Sequence, residues 1–179
     1  QRLLKAGANP KVQNKLGSTP LSEAAFNANT EAIKALLDAG ADPNATGPDG
    51  QTPLMLIART SNVEAAKLLL AKGANPNATE AQRQQTALMW AAAEGHTAVV
   101  DALINAKADL TARSNGGFSA FLFAVREGRA PVVKRLLAAG VSPNEAVTPS
   151  VRRLETPALV LAVTNAHYEL AAQLLDAGA

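Results

Sequence analysis

Two histidines, His96 and His167, are the side chains best suited to general-base chemistry or metal ligation. Each stands ten residues after a comparable position, Thr86 or Pro157, in otherwise similar segments. Repetition explains them better than catalysis, and the expected role is capping or bridging adjacent loops. Glu94, Glu127 and Glu155 are scattered over predicted surfaces, where acids are usually solvated. The glycines of "NGGFS", Asn115 to Ser119, lack the spacing and the lysine of a phosphate loop, so the segment reads as a turn. With no cysteine there is no disulfide and no thiolate nucleophile or ligand. No catalytic constellation emerges: the chain is not expected to be an enzyme, and no cofactor or metal is implied. Arg152 and Arg153 could grip an acidic partner or a phosphate, or simply solvate a loop. With 17 Lys and Arg against 15 Asp and Glu, nucleic acid is not an expected partner.

The elements that would position these groups follow from composition and periodicity. The 179 residues are 47% hydrophobic but only 3% aromatic, which favours helices packed through small and aliphatic side chains. No stretch is long and apolar enough to span a bilayer, so membrane insertion is not expected. "LLDAGADPNA", Leu36 to Ala45, returns as "LLLAKGANPNA", Leu68 to Ala78. A Thr/Ser/Pro position recurs at Thr19, Thr52, Thr86, Ser119 and Pro157, in steps of 33, 34, 33 and 38. A second position, at Gly40, Gly73, Lys107, Gly140 and Gly178, always follows 21 residues later. Length varies only between units, as stacked modules require.

Within each unit the spacing predicts two helices. Leu21, Leu54, Leu88, Phe121 and Leu159, with the pairs Ala24/Ala25 through Ala162/Val163, form the buried face of the first. Thr19-Pro20 and Thr52-Pro53 read as an N-cap hydroxyl followed by proline at the first helical position. The second helix carries residues such as Ile33, Leu36 and Leu37 and ends at a glycine suited to a left-handed cap. Asp42 to Asn44, Asn75 to Asn77 and "PDG", Pro48 to Gly50, are turn chemistry.

On "GSTPLSEAA", "GQTPLMLIA", "QTALMWAAAEGHTAVVDALI" and "LLDAGADPNA", the chain closely resembles the ankyrin repeat family over essentially its whole length. The resemblance implies an all-α solenoid of stacked helix-turn-helix repeats, elongated and slightly curved, with inner helices and projecting turns lining a concave face. The units would run from 1–13, the end of a partial repeat, through 14–46, 47–80, 81–113 and 114–146 to 147–179, the last reached by a longer connection, 141–156. Both ends of the chain fall inside the repeated phrase, so further repeats or domains are expected in the same chain. Where family members often carry a His, this sequence has Ser22, Met55, Met89, Leu122 and Val160, and that residue's usual hydrogen bonds are not carried over. Lys107 occupies a position where left-handed geometry favours glycine.

The implied function is noncovalent recognition of a protein partner or a neighbouring domain; the alternative is a structural or regulatory spacer in a larger multidomain protein, including an enzyme. One column of the first helices reads Glu23, Leu56, Trp90, Phe123, Leu161, flanked by Arg59, Glu94 and Arg126. Aromatics beside arginines are what a binding hot spot uses. The competing reading packs these large groups sideways against one another. Lys15, Asp49, Arg83 and Phe118 lie on the projecting turns and are further candidate contacts, Phe118 alternatively as a hydrophobic prop.

Overall fold

A computed structural model describes residues 4, 6–47, 49–148 and 155–179. Pro48, Arg152 and Arg153, singled out from the sequence, lie outside these described residues. Five helical hairpins follow one another: α1 (Pro20–Phe26) and α2 (Thr30–Asp38), α3 (Pro53–Ala58) and α4 (Val63–Ala71), α5 (Ala87–Glu94) and α6 (Thr97–Asn105), α7 (Ala120–Arg126) and α8 (Ala130–Ala138), and α9 (Ala158–Thr164) and α10 (Tyr168–Asp176). The inner helices α1, α3, α5, α7 and α9 each pack on the next. The outer helices α2, α4, α6 and α8 do likewise. A single hairpin of this size cannot shelter its own apolar side, and the stack solves this with one hydrophobic cluster running from Leu21 to Leu174.

The inner helices start as the hydroxyl pattern predicts. The N–H groups of Ser22, Met55, Met89 and Leu122 donate to the side-chain oxygens of Thr19, Thr52, Thr86 and Ser119 at 3.0, 3.3, 3.3 and 3.2 Å. Ser22 returns the favour, its Oγ accepting from Thr19 N–H at 2.8 Å. Pro157, lacking a hydroxyl, gives α9 no such cap. Gly40, Gly73, Gly140 and Gly178 are left-handed, and so is Lys107, with φ of 63°. Ala28 and Ala166 share that conformation at φ of 50° and 61°, which the sequence pattern did not signal. Val163, expected in the core, is 48% exposed, because among the described residues no further inner helix packs on α9.

Each projecting turn is closed by one backbone hydrogen bond across its base. Asn14 donates to Ser18, Gly47 to Gln51 and Ser114 to Phe118 at 3.0, 3.0 and 2.9 Å, while Glu80 donates to Gln85 at 3.1 Å, one residue wider. That extra residue accounts for the step of 34. In the longest connection the closure becomes a two-residue antiparallel ladder, β1 (Ala146–Val147) with β2 (Thr156–Pro157), pairing Ala146 with Pro157 and Val147 with Thr156. Val147 and Thr156 are thus paired although the connection is longer, and the hairpins on either side keep packing on one another.

Candidate binding groove

Trp90 lies on the solvent side of α5 and is half-buried. Its Nε1–H donates to Gln85 Oε1 at 2.9 Å, and the Arg59 guanidinium rests 5.2 Å from its ring centroid. Arg59 caps the C-terminus of α3 and is exposed. One unit pair further along, Arg126 at the end of α7 stacks over Phe123 and Phe118, at 4.8 and 5.1 Å from their centroids. Its Nε–H also donates to Glu127 Oε1 at 2.8 Å. A guanidinium over the face of a ring is attracted by it without using any of its N–H donors.

The two histidines hold these arginines by their backbones. Nε2–H of His96 donates to the Arg59 carbonyl at 3.1 Å, and Nε2–H of His167 to the Arg126 carbonyl at 2.9 Å. A carbonyl only accepts, so the proton sits on Nε2 in both rings. His167 comes so close to Gly128, left-handed at φ of 66°, that a Cβ there would stand 2.7 Å from the imidazole. The bridging role expected for the histidines is therefore the one observed. Sequence reasoning missed that Asn62 and Arg129 occupy the same column and act in the same way. Asn62 Nδ2 donates to Ala28 O at 3.0 Å and Arg129 Nε to Ala93 O at 2.8 Å.

Arg83 projects from the turn between α4 and α5. Glu80, buried, organises that turn: its carboxylate accepts from Gln82 N–H at 2.7 Å, Arg83 N–H at 2.8 Å and Gln85 N–H at 3.0 Å. Burial acts to raise its pKa, but these backbone donors prevail and hold the carboxyl below its ordinary value. Neighbouring turns are tied together as well. Ala81 N–H donates to Asp49 O at 3.2 Å, and Asn115 N–H to Arg83 O at 2.8 Å.

Arg59, Arg83, Trp90, Glu94, Phe123 and Arg126 thus come together on one groove of about 360 Å³ between inner helices and turn tips. A second hollow of about 250 Å³, lined by Glu23, Phe26, Asp49 and Leu56, adjoins it through Gln51. Phe26, which occupies the same repeat position as Arg59 and Arg126, is 69% exposed there. Phe123 follows the packed reading of its column. It is 5% exposed, covered by the Phe118 ring at 5.3 Å and by Arg126, and Leu161 at 8% is likewise packed. Leu56 and Trp90 remain half-buried, so the column divides between the two readings. Phe118 props Phe123 from the turn, and Lys15 is exposed but lines neither hollow.

Among the described residues no group of three or more His, Asp or Glu side chains is placed to hold a metal ion, and no helix is long and apolar enough to cross a membrane. No curated protein matches the chain. The family model for ankyrin repeats (3 copies) matches residues 1–80 and 78–147, spanning four of the five hairpins. With the all-α stack of hairpins, the capped inner helices and the closed turns, this match shows that the chain belongs to the ankyrin repeat family.

Proposed function

We propose that this chain recognises a partner protein through the groove between its inner helices and turn tips. Ankyrin repeats are in general protein–protein interaction modules and are typically non-enzymatic. The observation that carries the reading is Trp90, a large ring left half-exposed yet clamped by Gln85 and Arg59. Such a side chain offers much contact area with little rotamer freedom left to lose on binding, which is how a few aromatic and arginine residues come to dominate an interface. Arg83, Arg126 and Glu94 line the same groove, and Asp49 and Leu56 line the hollow that adjoins it.

The test uses partner proteins captured by the immobilised chain and a Trp90→Ala variant. The variant should lose affinity by at least about tenfold, since a central anchor is worth about 1.4 kcal/mol or more, while its thermal melt stays close to that of the parent. A variant that is destabilised but binds every captured protein as tightly as before would reject the groove as the site of recognition.

A further inference from the structure

We propose that the occupant of this groove is an acidic peptide segment of the partner, its Asp or Glu carboxylates received by Arg59, Arg83 and Arg126. The proposal rests on the groove reading above and adds the chemistry of what fills it. Among the described residues, no ion pair or side-chain hydrogen bond engages the guanidinium of Arg59 or of Arg83. Arg126 shares only its Nε–H with Glu127, leaving its terminal nitrogens available. Three guanidinium groups line the groove against two carboxylates, Glu80 and Glu94, which offset this set without supplying it with a side-chain partner. The Glu80 carboxylate is consumed by the backbone of its own turn, and Glu94 is the remaining acid on the groove.

Arginines held this way are prepared in advance to receive an anion. Two stand over aromatic rings and have their backbones tied to the following unit through His96 and His167. The third sits on a turn whose backbone is fixed at both Glu80 and Asn115. A planar carboxylate meets such a fixed fork edge-on, through parallel N–H···O bonds. The three come from three different inter-unit positions, α3, the turn before α5, and α7, so they are arrayed along the groove and not focused on one point. Spaced monoanions fit this array better than a single phosphoryl group, which several converging arginines would serve. A nucleic-acid backbone needs a longer basic track than a chain of net charge +2 with Glu94 in the same groove provides.

The experiment pans the folded chain against a displayed library of random peptides, then repeats the selection with Trp90→Ala. Enrichment of Asp and Glu among peptides that the Trp90→Ala variant no longer retains is the expected result. For those peptides, Arg59→Gln with Arg83→Gln should weaken binding by about tenfold or more, and added salt should weaken it further. The emission of Trp90, the single tryptophan of the chain, follows each titration from within the groove. Peptides that depend on Trp90 but show no acidic bias would overturn this proposal and leave the groove reading intact. Binders indifferent to Trp90→Ala would overturn the groove reading itself, and an empty selection would overturn the acidic-peptide proposal. Stronger binding of a phosphoserine peptide than of its glutamate counterpart would replace the proposal with phosphate recognition.

Discussion

Glu145 shows how much one side chain can depart from its column. The corresponding residues of the preceding units are Ala45, Ala78 and Ala112, yet here a carboxyl sits between Ser119, whose Oγ–H donates to it at 2.9 Å, and Arg113, whose guanidinium nitrogen is 2.6 Å away. Burial dominates and raises its pKa above the ordinary 4.5, against the opposing pull of Ser119 and then Arg113. A carboxyl that binds its proton more tightly when folded contributes stability present in full below 4.5 and lost as pH rises through the raised folded value. Glu145→Gln, which keeps the acceptor for Ser119, should therefore melt above the parent at neutral pH, with the difference closing on acidification. A difference that widened in acid would mean the ion pair outweighs burial. Lys107 makes the simpler case: at φ of 63° a side chain costs about 1 kcal/mol relative to glycine. Lys107→Gly should raise the urea midpoint, and an unchanged midpoint would count against strain there.

At the level of the helix, one column of N-cap residues both starts the outer helices and stitches units together. Asn62 does both: its Oδ1 accepts from Ala65 N–H at 3.0 Å, while its Nδ2 reaches Ala28 O and Thr30 Oγ1 at 3.0 and 2.8 Å. His96 only stitches, because its side chain caps nothing. Asn62→Ala should thus cost about 1–2 kcal/mol, and His96→Ala about 0.5–1.5 kcal/mol, measured as differences in unfolding free energy. The opposite order would show that capping is worth little here. Much of this was legible in the sequence, because Thr-Pro starts, glycine stops and apolar spacing act within one helix. What was not legible depends on a neighbour. Asn62 and Arg129 escaped notice because Asn, His and Arg reach the same carbonyl region with different atoms. Whether Phe123 is exposed or packed stays open in the sequence because its cover, Phe118 and Arg126, comes from a turn and from the end of its own helix. Glu80 gives no signal in the sequence because its partners are backbone N–H groups of a turn whose shape its own carboxylate sets.

Over the whole molecule, each hairpin borrows its core from the next, and polar ties run in parallel with the apolar contacts. Asp38 pairs with Lys72 at 2.8 Å between α2 and α4, and Asp101 pairs with Arg135 between α6 and α8. Those pairs are substantially exposed and contribute modestly. The apolar interfaces contribute more, so stability is close to a sum of unit and neighbour contributions, and damage should spread by adjacency. Leu136, fully buried on α8, tests this. Its truncation to Ala removes methyl groups and leaves a cavity, at a cost of about 2–5 kcal/mol. That loss should appear in amide hydrogen exchange first in α8 and in the helices packed on it, α7 and α6, while α1 and α2 at the far end keep the parent's protection. Protection that fell equally in all helices would mean the stack opens only as one unit, and the groove around Trp90 would then share the fate of every interface in the chain. Graded protection means instead that one end can loosen while α3 and α5, which hold Arg59 and Trp90, remain in place.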